Sequence, residues 1–280
     1  FVQIYFDPEE ESAREKKTSR RRIPNVNWNG RRVQTMFVLL AVAILQWLAP
    51  LLPLSGHGRT IGAQAVEEGI PPELPPGVFF SIWGVIFTLY LIFALLAVFK
   101  TSYLEERLGQ PLLLAGAGNV VWMLSAQYIG NEVLNLILLL PIAALAWWAA
   151  RRLHRMGGWD GTARRLVACA LTGLLSGWAA VAISISIPRV ARLLLGLAPT
   201  DHVWISLWLA LVPAALLAWV FATRISRSLW FFVALAWGLS GIALNNWERT
   251  GLHGLAIMTT LVGLYVIWRR LAYGARTALQ

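Results

Sequence analysis

The residues of this chain that could do chemistry are aromatic rings and a few amides set in apolar sequence. Pro71-Pro72-Glu73-Leu74-Pro75-Pro76-Gly77 leads directly into an apolar run carrying Phe79, Phe80, Trp83, Phe87 and Tyr90. Phe79, Trp83, Phe87 and Tyr90 recur at steps of four, four and three, which places them on one helical face. Such a stripe has two readings. It is either plain packing surface or one wall of a cavity for a flat hydrophobic ligand. Asn119 and Trp122 lie three apart and share a face. They either line the same cavity with an amide and a ring, or join helix to helix through hydrogen bonds. Gly173 and Gly177 are four apart, a spacing that allows close helix approach. Trp178 follows directly and is placed to point into a central cavity.

Signatures of catalysis are missing. His57, His154, His202 and His253 lack the spacing of a metal site. Asp7, Asp160 and Asp201 are far apart, whereas Mg²⁺ needs clustered oxygen ligands. There is no H-E-x-x-H, no phosphate-cradling glycine loop and no G-x-S-x-G. The residues therefore point to binding and not to an enzyme. His202 and His253 fall near span ends, where each is either an axial ligand to a chlorin or haem metal or a polar interfacial side chain. Glu132 is the one acid near a span, and it sits at a boundary, which disfavours ion-driven transport.

The elements that must position these residues are membrane helices. Of the residues, 58% are apolar and 14% charged, and the charges gather between apolar runs. Each run is close to the roughly 20 residues needed to cross a bilayer. The expected fold is all-α, a polytopic membrane bundle of eight transmembrane helices. The spans are Val33 to Leu54, Gly77 to Lys100, Pro111 to Gly130, Asn131 to Arg152, Arg165 to Ile187, Val203 to Thr223, Leu229 to Trp247 and Leu252 to Arg270. Pro76 and Pro111 suit helix starts, while Pro141 and Pro213 should kink their spans.

Charge placement supports this layout. Of 24 Lys and Arg residues, only Arg59, Arg189, Arg192 and Arg249 fall on outer segments. Positive charge collects on the cytoplasmic side, so both termini are expected there. The same placement explains the net charge of +10 without nucleic acid. Residues 1–32 read as a cytoplasmic charged arm, acidic from Asp7 to Glu11 and basic from Lys16 to Arg22. No cleavable signal is expected at Phe1 to Phe6. The loop from Ser55 to Pro76 is the candidate lid, and Pro188 to His202 separates the first five spans from the last three. Trp47, Trp147, Trp148, Trp204, Trp230, Trp247 and Trp268 fit interfacial belts. Trp83, Trp122, Trp178, Trp208, Trp219 and Trp237 lie deeper. Cys169, the single cysteine, reads as a small buried residue.

The run Pro75-Pro76-Gly77-Val78-Phe79-Phe80-Ser81-Ile82-Trp83 resembles the second-helix signature of the tryptophan-rich sensory proteins, the TspO and peripheral benzodiazepine receptor family. Phe87 stands where tyrosine is usual, with Tyr90 one turn on. Asn119 with Trp122 is similar to the pattern of that family's third helix, and Trp178 to an aromatic of its fifth. The resemblance covers about Val33 to Pro188, so residues 33–188 are read as a TspO-like five-helix core and 189–280 as three additional helices. It implies a membrane receptor or carrier whose ligand is a tetrapyrrole, a carotenoid or a sterol-like molecule. Phe79, Trp83, Phe87, Tyr90, Asn119, Trp122 and Trp178 would line its site, and a tetrapyrrole or carotenoid would be the bound cofactor. Its partners are then the lipid bilayer, the hydrophobic ligand and other membrane subunits, in a bacterial inner membrane. The alternative is a non-catalytic accessory subunit of a larger membrane complex, such as a photosynthetic pigment–protein assembly, with the three added helices as its docking face.

Overall fold

The computed structural model describes residues 28–56, 58–59, 69–99, 103–157 and 162–272. Eight α-helices form a bundle with no strand among these residues. They are α1 (Trp28–Leu48), α2 (Ile82–Phe99), α3 (Tyr103–Tyr128), α4 (Glu132–Arg155), α5 (Ala163–Leu195), α6 (Val203–Val220), α7 (Leu229–Leu244) and α8 (His253–Leu271). Short 3₁₀ turns span Ala49–Ser55 and Gly77–Ser81, and π turns extend α6 over Phe221–Ile225 and α7 over Asn245–Arg249. The chain divides into two compact units, Phe1–Gln34 and Thr35–Gln280. The described part of the first is the opening of α1, and the bundle belongs to the second. Most of the arm, residues 1–27, and part of the expected lid, residues 57 and 60–68, lie outside the described residues.

Seven of the helical stretches are long and apolar enough to cross a membrane. The exception is α3, whose polar Asn119, Ser125 and Gln127 are all buried. A polar side chain in hydrocarbon is costly unless it faces the bundle, and these do. The protein is an integral, multi-pass membrane protein.

The helix ends differ from the sequence expectation in three places. The arm was expected to run to Arg32, but α1 begins at Trp28. No residue from 28 to 32 opposes helix except Gly30, and Arg31 and Arg32 favour it. Pro111 was expected to start a helix, but it lies about two turns inside α3. Proline leaves the carbonyl four residues earlier without its N–H. That carbonyl is Arg107 O, and Arg152 Nη1 on α4 donates to it at 2.9 Å. The Arg152 guanidinium also sits 4.1 Å over the Trp148 ring. Finally, α5 continues through Pro188 to Leu195, so residue 188 falls inside a helix and not at a loop. The last turns of α5 carry Arg189 and Arg192, both drawn into ion pairs, and Gly196 closes the helix in the left-handed conformation at φ 65°.

The centre of the bundle is α5, which is almost entirely buried and packs against α2, α4, α6 and α7. Its contact with α7 depends on small residues. A Cβ at Gly173 would lie 2.5 Å from Trp230 Cβ, and one at Gly177 would lie 2.3 Å from Phe231 O. The close-packing reading of this glycine pair is the one realised. Ser184 and Ser186 donate to the Ala180 and Ala182 carbonyls of their own helix. Of the deeper tryptophans, Trp208, Trp219 and Trp237 are exposed. At the end away from the prolines, Glu105 pairs with Arg164 at 2.8 Å. Arg165 donates to the carbonyls of Leu153 and Gly157, and Arg270 to that of Arg227.

Gly177→Leu should separate α5 from α7 and lower the thermal stability of the detergent-purified protein by at least the roughly 1–3 kcal/mol typical of overpacking. Gly84→Ala, which meets no atom within 4 Å, should leave the melting temperature unchanged in the same assay.

Candidate functional site

Three tryptophans from three helices meet near the proline end of the bundle. Trp83 in the first turn of α2 stacks on Phe87 with centroids 5.5 Å apart. It faces Trp122 of α3 at 5.6 Å and meets Trp178 of α5 edge-on at 6.4 Å. Phe80 closes on Trp178 at 5.8 Å, and Trp47 of α1 reaches the edge of Phe87 at 6.2 Å. All three indoles are buried, Trp178 to within 1% exposure. A buried tryptophan N–H normally finds an acceptor. Here Nε1 of Trp83, of Trp122 and of Trp178 each has none. Ser176 Oγ, two residues from Trp178, is also buried and unpartnered.

The other candidates are distributed around this cluster. Asn119 is fully buried and donates to Gln46 Oε1 of α1 at 3.1 Å, leaving its own Oδ1 and Gln46 Nε2 without partners. Tyr90 is also fully buried, and its hydroxyl donates to Leu112 O at 2.7 Å. Gly116 makes that possible, since a Cβ there would lie 2.4 Å from Tyr90 Oη. Phe79 turns away from Trp83. The chain from Gly77 to Ser81 is 3₁₀ and not α, which winds it more tightly and rotates its side chains relative to those of α2. Phe79 therefore packs on Trp237 of α7 at 4.8 Å, and Phe80 takes the place beside Trp178. The structure thus brings Trp83, Phe87, Trp122 and Trp178 together and sets Phe79, Tyr90 and Asn119 at the margins.

Several residues at this end were not singled out from sequence. Pro71 to Pro75 is buried, and Glu73 within it is fully so. Its carboxylate is bonded by both terminal nitrogens of Arg192, one at 3.3 Å, and by Ser206 Oγ of α6 at 2.8 Å. Arg192 Nη1 also donates to Ser206 Oγ. Asn245 Nδ2 donates to Pro71 O at 3.1 Å, Asn246 Nδ2 to Pro72 O at 2.6 Å, and Trp237 Nε1 to Phe79 O at 2.7 Å. The sequence signal for these contacts was the proline run itself, which has carbonyls to satisfy and few N–H groups of its own.

A cavity of about 930 Å³ lies at the same end, between the α3–α4 turn and the end of α5. Arg59, Gln127, Asn131, Glu132, Arg189 and Arg192 line it, and Arg189 is paired with Glu132. Gln127 is five residues past Trp122 on α3, about 7.5 Å along the helix axis. Gln127 Nε2 donates to Ala49 O, while its Oε1 is buried without a partner. Among the described residues no three His, Cys, Asp or Glu side chains gather as a metal site. His253 lies against Trp247 at 4.4 Å, and His202 precedes α6 in the left-handed conformation at φ 48°.

Glu73→Leu and Arg192→Leu should each strand a buried charge and cost roughly 3–5 kcal/mol. The double variant should lose less than either single one. Thermal unfolding of the four proteins in one detergent checks this, and additive losses would contradict it.

The TSPO-like protein family matches residues 32–271, so the match runs through α6, α7 and α8 and does not stop near Pro188. No curated protein and no solved structure matches the chain. With a family match over most of its length, the chain belongs to the TSPO-like protein family.

Proposed function

We propose that this protein is a membrane receptor or carrier for a flat hydrophobic ligand that bears hydrogen-bond acceptors, a tetrapyrrole carboxylate or an oxygenated carotenoid or sterol. The observation that carries the reading is the set of three unpartnered indole N–H groups on Trp83, Trp122 and Trp178. A buried donor without an acceptor costs free energy, and a ligand carbonyl or carboxylate removes that cost. A plain hydrocarbon would leave all three unmet. The ring faces supply stacking area, so an aromatic or conjugated molecule fits better than a saturated one.

The adjoining cavity supports the same reading. Its volume falls within the roughly 300–1,000 Å³ of small-molecule sites. Two of the arginines on its wall are already paired, Arg189 with Glu132 and Arg192 with Glu73, so the ring faces of the tryptophans and not the arginines would hold a tetrapyrrole macrocycle. The protein acts by binding and not by catalysis. The charge distribution supports a cytoplasmic placement of both ends.

Two measurements test this. Protein purified in mild detergent should carry a visible absorbance band from bound pigment, or should quench its tryptophan emission when titrated with protoporphyrin. Trp83→Ala should raise the apparent Kd for protoporphyrin about tenfold. A titration identical to that of the parent would remove Trp83 from the site. Absence of both pigment and quenching in the parent protein would sink the reading.

A further inference from the structure

The segment Pro71-Pro72-Glu73-Leu74-Pro75-Pro76 contains four prolines, so four of its six residues have no N–H. It is nevertheless buried from Pro71 to Pro75. A buried carbonyl needs a donor. The segment supplies one itself, Leu74 N–H to Pro71 O at 3.3 Å. Phe79 N–H, just beyond it, reaches Pro76 O at 2.9 Å, and the other donors named here come from the end of α5 and from the helices after it. Arg192 and Ser206 hold Glu73, Asn245 holds Pro71 O, Asn246 holds Pro72 O, and Trp237 holds Phe79 O. Both asparagines sit on the π turn that ends α7, where Thr250 N–H reaches back five residues to Asn245 O. Such widened turns recur at functional sites. Shape reinforces the hydrogen bonds. A Cβ at Gly241 of α7 would lie 2.8 Å from Pro75 Cβ and 2.7 Å from Phe79 Cγ, so the segment is seated directly on the α7 backbone.

This segment leads without a break into the aromatic cluster. Phe80 beside Trp178 and Trp83 beside Trp122 follow Pro76 by four and seven residues. We propose that Arg192, Ser206, Trp237, Asn245 and Asn246 are positioning residues for the aromatic site: they fix the proline segment from the far side, and through it the placement of Phe80 and Trp83. The added helices α6 and α7 are then part of the binding machinery. The proposal rests on the reading of the tryptophan cluster as a ligand site, but the positioning itself can be measured without a ligand.

The test uses the full chain labelled with 5-fluorotryptophan. Fluorine NMR resonances of Trp83 and Trp178 are assigned by single Trp→Phe changes. Two variants disturb the clamp without touching the cluster. Asn245→Ala with Asn246→Ala removes two donors, and Gly241→Ala inserts a methyl group under Pro75 and Phe79. Each variant is first shown to be monodisperse and as helical as the parent. Asn246→Gln, which keeps the amide, is the conservative control.

The expected result is that the Trp83 and Trp178 resonances shift in both disturbed variants and return toward the parent in Asn246→Gln. The Kd for protoporphyrin should rise about tenfold alongside, the scale of losing pre-organised packing. Resonances that coincide with the parent in both folded variants would overturn the proposal, whatever the protein binds. Shifted resonances in a protein whose parent binds no protoporphyrin would uphold the positioning and discard the ligand reading instead.

Discussion

A run of prolines brought into a helical bundle arrives with acceptors and almost no donors. Where the run is buried in protein, as here from Pro71 to Pro75, partners must come from neighbouring side chains. Here the imbalance organises one whole end of the molecule. It accounts for the consecutive Asn245 and Asn246, whose amides meet the carbonyls of Pro71 and Pro72. The same principle acts on a smaller scale at Pro111, whose missing N–H is offset by Arg152 reaching Arg107 O from the next helix. In both places proline interrupts the local ladder, and a distant part of the chain restores it.

Much of the fold was legible in the sequence because it follows from length and hydropathy. Eight apolar runs became eight helices. Trp83, Trp122 and Trp178 were read, from spacing and from the family resemblance, as lining one cavity; their rings lie buried against one another. Gly173 and Gly177 likewise mark a close helix contact, though spacing could not say that α7 was the partner. What was not legible depends on local winding or on long-range pairing. One 3₁₀ turn was enough to send Phe79 toward Trp237 and to bring Phe80 to the cluster in its place. The extent of α5 beyond Pro188 could not be read, because the ion pairs that hold Arg189 and Arg192 link residues more than fifty positions apart. Gln46, the partner of Asn119, is a lone amide in an apolar run and gave no sign of its role.

The added helices gain a different meaning from this geometry. Read from sequence, α6, α7 and α8 looked like an extension with room for a docking face. In the bundle, α6 and α7 direct their polar side chains at the proline segment, and α7 lies flush against α5 through Gly173 and Gly177. The family match across residues 32–271 includes them too. Residues 35–280, which hold the tryptophan cluster and the last three helices, form one compact unit.

The asparagines of the π turn contact main-chain oxygens and not side chains. Their grip is therefore indifferent to which residues occupy positions 71 and 72. Over evolutionary time this should produce lopsided drift: the gripped positions are free to change wherever the backbone path is kept, while the gripping amides are not. Descendants that shed the last three helices would have to acquire new donors or give up the prolines.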